Sequence, residues 1–209
     1  LCDKYGILLI ADEVMTGWGR TGKWFAMDHW DVVPDILTTA KGLTNSMVPL
    51  GAVVVSKKIA DYMDENTLWS GSTYSGHALA CAAGIAAIEV YREDGLIENA
   101  AKMGDVLAKA LDEVKENHPS VGDVRGKGLF LGAELVTDRD SRAPVEEKRI
   151  QAVVGDCMAQ GVIIGATNRS LPGKNNTLCF SPALIATRDD IDEIITAVDG
   201  ALGRVFTSA

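Results

Sequence analysis

The sequence predicts an α/β fold from three observations: short apolar runs bounded by Gly and Pro, long Ala-rich stretches at helical spacing, and a renewed alternation of strand and helix patterns after Pro119. Its 209 residues, 47% hydrophobic and 23% charged, are enough for a sizeable core in one large or two small domains.

Taken in order, Leu1 to Tyr5 read as the end of a helix that leads through Gly6 into a strand, so the start of that element is expected to be missing. Ile7–Ala11, Asp35–Thr39 and Ala52–Val55 are strand candidates, two of them without clear alternation, as expected of strands covered on both faces. His77–Tyr91 is Ala-rich and free of Pro, and Ile97–Val114 repeats Leu107, Leu111 and Val114 at helical spacing, which predicts two consecutive helices. Val121–Val124 and Gly128–Leu135 then read as strands, and Pro144–Gln160 as a helix closed by Gly161. Val162–Ala166 and Thr177–Phe180 add two short strands. The last helix opens at Thr187, with Asp190 three residues on as a capping partner, and carries Ile191, Ile194, Ile195 and Val198 on one face. The changes of period divide the chain into residues 1–95, a connecting helix at 96–118 and a smaller α/β domain at 119–209.

A net charge of −9 argues against capture by nucleic acid or an anionic membrane, since no excess of Lys and Arg is available to neutralise phosphates. Cys2, Cys81, Cys157 and Cys179 are scattered, so buried thiols in a reducing compartment are expected rather than a zinc site or disulfides. No apolar run reaches the ~18 residues of a membrane span, and no basic segment followed by a hydrophobic stretch opens the chain, so a cytoplasmic protein is expected.

The chemistry centres on two residues. The first strand delivers Asp12 at its carboxyl end, where open α/β sheets place ligand-binding groups, and Thr38-Thr39-Ala40-Lys41-Gly42 puts a lysine among small residues after the next. A lysine that forms a Schiff base must lose its proton, which the end of a buried strand favours. A carboxylate beside it suits a pyridine nitrogen that has to stay protonated. Alone, the pair also fits a surface lysine and a turn aspartate.

The longer context is more specific. Ala11-Asp12-Glu13-Val14-Met15-Thr16-Gly17-Trp18-Gly19-Arg20-Thr21-Gly22, followed by Pro34-Asp35-Ile36-Leu37-Thr38-Thr39-Ala40-Lys41-Gly42, resembles the signature of class III pyridoxal-phosphate-dependent aminotransferases. The resemblance implies that Asp12 pairs with the pyridine nitrogen, Val14 packs on the ring and Lys41 carries the cofactor, pyridoxal 5′-phosphate. Gly71-Ser72-Thr73-Tyr74-Ser75-Gly76-His77 is similar to the loop whose Thr binds the cofactor phosphate from a neighbouring subunit, which implies that role for Thr73; a Gly-rich turn before a helix suits an anion, although such a turn is often only a cap. Arg125-Gly126-Lys127-Gly128-Leu129 and Phe180-Ser181-Pro182-Ala183-Leu184 extend the resemblance over essentially the whole chain.

It implies part of a fold-type I aminotransferase: the remainder of a cofactor-binding large domain at 1–95 and a small C-terminal α/β domain at 119–209. Family members are much longer and carry a second phosphate-binding loop, an aromatic over the ring and much of the substrate pocket before this region. A homodimer or higher homo-oligomer with the site at the interface is implied.

A rival motif is Gly17-Trp18-Gly19-Arg20-Thr21-Gly22-Lys23, which fits G-x-x-x-x-G-K after a strand. Trp24 replaces the Ser or Thr that a nucleotide loop needs, and no helix pattern follows before Pro34, which disfavours it.

For substrate, Cys179 stands where ornithine-type relatives have Arg, while Arg169, after Gly165-Ala166-Thr167-Asn168, matches the mobile Arg of amine:pyruvate relatives. Its fork suits a carboxylate, and a solvated surface charge is the other reading. The context most resembles the taurine/β-alanine:pyruvate branch. The expected reaction is transamination between an amine or ω-amino acid and pyruvate or a similar keto acid. A non-catalytic oligomeric remnant of the fold is the alternative.

Overall fold

The structure, a computed structural model, describes residues 1–168 and 170–207, and the chain divides into two compact units, Leu1–Ile97 and Glu98–Ala209.

In the first unit, α1 (Cys2–Tyr5) ends at Gly6, whose φ of 64° lets its N–H turn back to the Asp3 carbonyl. The strands β1 (Ile10–Asp12), β2 (Ile36–Thr39) and β3 (Ala52–Val55) form a sheet in that order. β1 runs parallel to β2, with Asp12 opposite Thr38, and β3 is antiparallel to β2, with Ala52 opposite Thr39. Two helices follow, α2 (Lys57–Glu65) and α3 (Ala78–Glu93). α2 follows Ser56 and buries none of its residues; the sequence reading assigned no element there.

The first strand is shorter than the expected Ile7–Ala11. The Ile7 N–H turns back to Cys2, and the Leu9 N–H is taken by the Asp35 carboxylate at 2.8 Å, so the ladder begins only where β2 starts after Pro34. Coverage on both faces is also overturned. Ile10 is 59% exposed and Val53 66%, because no element among the described residues packs over them.

In the second unit, α4 (Leu96–Asn117), which begins just before the boundary, leads into β4 (Val121–Lys127), β5 (Phe130–Asp138), β6 (Ala143–Pro144), α5 (Glu147–Ala159), β7 (Gly165–Ala166), β8 (Thr177–Phe180) and α6 (Arg188–Thr207). The sheet order is β4-β5-β8-β7, antiparallel throughout, with β6 added to β5. Leu131 opposes Phe180 and Ala133 opposes Leu178, so one face of β5 and β8 is apolar and buried while Gly132 and Cys179 alternate to the other. Leu107 and Leu111 of α4, Ile150 of α5 and Ile191 and Leu202 of α6 pack with that face in one cluster, each almost wholly buried. Each such side chain stabilises the unit by roughly 1.5–3 kcal/mol.

Three boundaries differ from expectation. Residues 144–146 do not start α5, because Pro144 pairs with Val136 in β6 instead. Val162–Ile164 is not strand: the Val162 N–H closes the end of α5 on Cys157 beside Gly161 at φ 88°, leaving only Gly165–Ala166 to pair with β8. The β4–β5 hairpin extends further at its turn, with Lys127 opposite Phe130. At α6 the expected cap is present, with Thr187 N–H and hydroxyl both donating to the Asp190 carboxylate at 2.7 Å and the Asp190 N–H returning to the Thr187 hydroxyl at 3.3 Å.

Of the cysteines only Cys157 is buried, which corrects the expectation of four buried thiols; Cys81 is exposed. Burial first, and the neighbouring Asp156 second, push the Cys157 thiol up to about 11. Among the described residues no helix is long and apolar enough to cross a membrane.

Candidate active site

β1 and β2 are adjacent and parallel, so both end on the same edge of the sheet, and that edge carries the candidate chemistry. Asp12 is the last residue of β1 and Lys41 follows β2 by two residues. The Asp12 Oδ1 accepts the Val14 N–H at 3.1 Å and the Thr38 hydroxyl at 3.3 Å, which orients the carboxylate from both strands. Both Asp12 and Lys41 are exposed, and the Lys41 ammonium lies against the Met15 thioether, a weak acceptor.

The loop between the two strands is built on a buried carboxylate. Glu13, 2% exposed, accepts the Met27 N–H at 2.9 Å on one oxygen and the Thr16 hydroxyl on the other, while its carbonyl accepts the Gly17 N–H at 3.0 Å. A buried charge is tolerated only with such partners. A Cβ on Gly17 would stand 2.7 Å from the Glu13 carbonyl oxygen, so glycine is required there. The same loop disposes of the nucleotide reading. The Trp18 and Gly19 N–H groups both point at the Trp24 carbonyl, and the chain after Lys23 enters a short 3₁₀ turn at Ala26–Trp30 rather than a helix that could receive a phosphate.

Lys41 has φ 45°, in the left-handed region that L residues enter at a cost, and opens a 3₁₀ turn over Lys41–Thr44 whose Leu43 and Thr44 are buried. Thr73 lies in an exposed turn before α3. An open cleft of ≈ 720 Å³ has Lys41 and Ala40 on one side and Ser72, Tyr74 and Gly76 on the other, so residues on both sides of Thr73 share its walls with Lys41. Thr73 itself and Asp12 are not among its lining residues. Arg169, the expected carboxylate ligand, lies outside the described residues. Cys179, at the position where an Arg was weighed, sits half-buried on β8 opposite Gly132 and Gly165, and burial raises its thiol.

Sequence reasoning missed Glu13, Trp18 and Tyr91. Glu13 is part of the Asp-Glu-Val run, but only its burial identifies it as the anchor of the loop. Trp18 donates its indole N–H to the Thr39 hydroxyl at 2.6 Å, and the Tyr91 hydroxyl donates to the Gly42 carbonyl at 2.7 Å.

With this geometry in hand, comparison with known proteins is informative. The family model described as aminotransferase class-III matches residues 1–202. A hypotaurine/taurine–pyruvate aminotransferase of Paracoccus denitrificans is 47% identical over 212 residues, covering 99% of this chain and 46% of that protein. Among solved structures, a Bacillus anthracis aminotransferase superposes with a TM-score of 0.93 at 39% identity, over 97% of this chain and 46% of that one. A taurine:2-oxoglutarate aminotransferase of Bifidobacterium kashiwanohense, solved in complex with PLP and glutamate, gives 0.89 at 39% identity, over 98% and 45%. The chain spans about half the length of these relatives and has the fold of the corresponding part of an aminotransferase.

Proposed function

Because the chain belongs to the class-III aminotransferase family, we propose that it takes part in pyridoxal-phosphate-dependent transamination between a taurine- or β-alanine-like amine and pyruvate or a similar keto acid. The observation that carries this reading is the placement of a carboxylate, Asp12, and a primary amine, Lys41, at the ends of adjacent parallel strands. That donor set fits pyridoxal phosphate: a carboxylate for the pyridine nitrogen, an amine for the aldehyde, and small residues, Ala40 and Gly42, beside the amine.

When bound, the group supplies an aldehyde that condenses with amines and a ring that draws electrons from the substrate carbon. In this reading Asp12 holds the proton on the pyridine nitrogen, its carboxylate aimed by Val14 N–H and the Thr38 hydroxyl. Val14 packs on the ring. Lys41 would hold the group through Nζ and, with Nζ free, would move a proton away from the donor carbon. Thr73 binds the phosphate from a second copy of the chain, and Arg169 grips the carboxylate of the keto acid through two parallel N–H donors. The similarity of this chain to relatives named as taurine aminotransferases supports the choice of donor.

A second reading is an oligomeric remnant that keeps the fold without turnover; the exposed valines of β3 support the oligomer in either reading. One experiment separates the two. The visible spectrum is recorded after adding pyridoxal phosphate and removing the excess, with Lys41→Ala as control. A retained yellow chromophore that fades with taurine, returns with pyruvate and is lost or unresponsive in the variant supports transamination. Wild-type protein that keeps no chromophore, or keeps it equally in Lys41→Ala without responding to amines, sinks it in favour of the remnant.

A further inference from the structure

We infer that Trp18 and Tyr91 are positioning residues for Lys41: together they pin the Thr39–Gly42 turn at its two ends and fix the left-handed backbone from which the lysine side chain departs. The inference rests on the proposed role of Lys41 and goes beyond it, to how the chain aims that amine.

The geometry is built from four contacts. Trp18 donates its indole N–H to the hydroxyl of Thr39, the last residue of β2, at 2.6 Å. The same indole covers Gly42 so closely that a Cβ there would lie 2.7 Å from the Trp18 Cβ and 3.1 Å from its Cδ1. Tyr91, near the end of α3 and only 6% exposed, donates its hydroxyl to the Gly42 carbonyl at 2.7 Å. Its ring stacks on Trp18, with centroids 6.3 Å apart and planes 22° from parallel. Trp18 and Tyr91 therefore hold each other as well as the turn. Phe25 and Trp24 stand edge-on to Trp18 and limit its rotation.

Between the two anchor points lies Lys41 at φ 45°, a value an L residue holds only where its surroundings determine it. The turn's own bonds, Asn45 N–H to the Gly42 carbonyl at 3.1 Å and Ser46 N–H to the Lys41 carbonyl at 3.0 Å, close the far side. The Gly42 carbonyl thus accepts from both Asn45 and Tyr91, using both lone pairs. Burial raises the Tyr91 phenol, ahead of an opposing effect of nearby Arg20, so the hydroxyl keeps its proton and remains a donor at neutral pH. Apart from its weak contact with the Met15 thioether, the exposed Lys41 amine gains its direction from its root. A fixed Cα–Cβ bond is what limits the volume that Nζ sweeps, and fixed geometry is worth rate in any reaction of that amine.

The test uses Tyr91→Phe, which removes one hydroxyl and keeps the stack, and Trp18→Phe, which removes the indole donor. If Trp18→Phe does not fold, Thr39→Val removes the acceptor and leaves the indole in place. Each protein is incubated with sub-saturating pyridoxal phosphate and fixed with borohydride, and adduct at Lys41 is compared by mass spectrometry with adduct at the exposed Lys57. Hydrogen exchange of the Asn45 and Ser46 amides is followed on the cofactor-free chain. We expect each variant to lose about fivefold in Lys41 adduct relative to Lys57, the ratio that corresponds to one net hydrogen bond of ~1 kcal/mol, and to exchange Asn45 and Ser46 faster by a similar factor. Amides of the second unit, such as Leu135, stay at the wild-type rate. A wild-type Lys41 that captures no more cofactor than Lys57 removes the functional reading and this inference with it. A wild-type Lys41 that captures preferentially, with variants that capture as well, overturns the positioning role alone. Faster exchange without loss of capture also overturns it, since the clamp would then hold the turn without aiming the lysine.

Discussion

Gly104 and Gly155 are both glycines inside helices of the second unit, and the structure predicts opposite results for the same substitution. In α4, a Cβ on Gly104 would lie 2.4 Å from the Cα and carbonyl carbon of Gly128, at the turn of the β4–β5 hairpin. Those are backbone atoms of a residue at φ 54°, so relief requires moving the helix or the turn. In α5, a Cβ on the exposed Gly155 meets nothing within 4 Å. Replacing Gly by Ala in a helix interior gains about 0.8–1 kcal/mol of propensity at either position. At Gly104 that gain is set against an overpacking cost of about 1–3 kcal/mol or more, at the upper end because no flexible side chain can yield. The net expectation is a loss of about 1–2 kcal/mol for Gly104→Ala and a gain of up to about 1 kcal/mol for Gly155→Ala. At roughly 2–4 °C per kcal/mol for a chain of this size, the two melting temperatures should lie about 2–12 °C apart. Thermal unfolding followed by circular dichroism at 222 nm gives the melting temperatures, and urea titration with the same signal gives the free energies. A Gly104→Ala protein as stable as Gly155→Ala would refute the close approach of α4 to the hairpin.

Thr187→Ala removes the cap of α6 and should cost about 1 kcal/mol by urea titration. The Thr187 N–H, and after it the hydroxyl, hold the Asp190 carboxyl below its ordinary range, so its contribution is full above the unfolded value of about 3.9 and is lost as the pH falls through the lower folded value; Asp190→Asn should flatten acid unfolding in that window. Cys157 works in the opposite sense. Its folded value of about 11 lies above the unfolded thiol's ~8.5, so stability should decline as the pH rises between them, with a smaller slope in Cys157→Ala, and Ellman's reagent at neutral pH should label Cys81 well before Cys157. If the proposed transamination occurs, initial rates at several fixed taurine concentrations should give parallel double-reciprocal lines against pyruvate, and intersecting lines would contradict a reaction in which the first product leaves before pyruvate binds.

What could be read from the sequence was what is encoded over short distances. The Ala-rich run that became α3, the Leu107/Leu111/Val114 spacing of α4 and the Thr187–Asp190 cap each depend on residues within a few turns of one another, and local pattern is enough for those. Strand limits were less legible because pairing decides them. β1 starts at Ile10 only because Asp35, 26 residues on from Leu9, takes the Leu9 N–H with its side chain, and β7 shrinks to two residues because the chain before it is still closing α5, with the Val162 N–H on the Cys157 carbonyl.

The candidate site divides along the same line. Asp12 and Lys41 are legible as candidates because each follows its own apolar run, and their placement on one edge of the sheet follows from the rule that parallel neighbours end there. Tyr91 gave no signal at all: it is an aromatic near the end of a helix, 49 residues from the carbonyl it bonds, and reads as core. Its role exists only once β2 and α3 are assembled, as does that of Glu13, whose neighbour Asp12 drew the attention because a strand-end carboxylate is what a ligand needs. The residues that touch a ligand must match its chemistry and so leave a mark in residue type. Those that aim them need only match the fold. A Phe at position 91 would preserve every sequence pattern used above while removing the bond to Gly42, which is why the lysine's position, unlike its identity, had to be read from three dimensions.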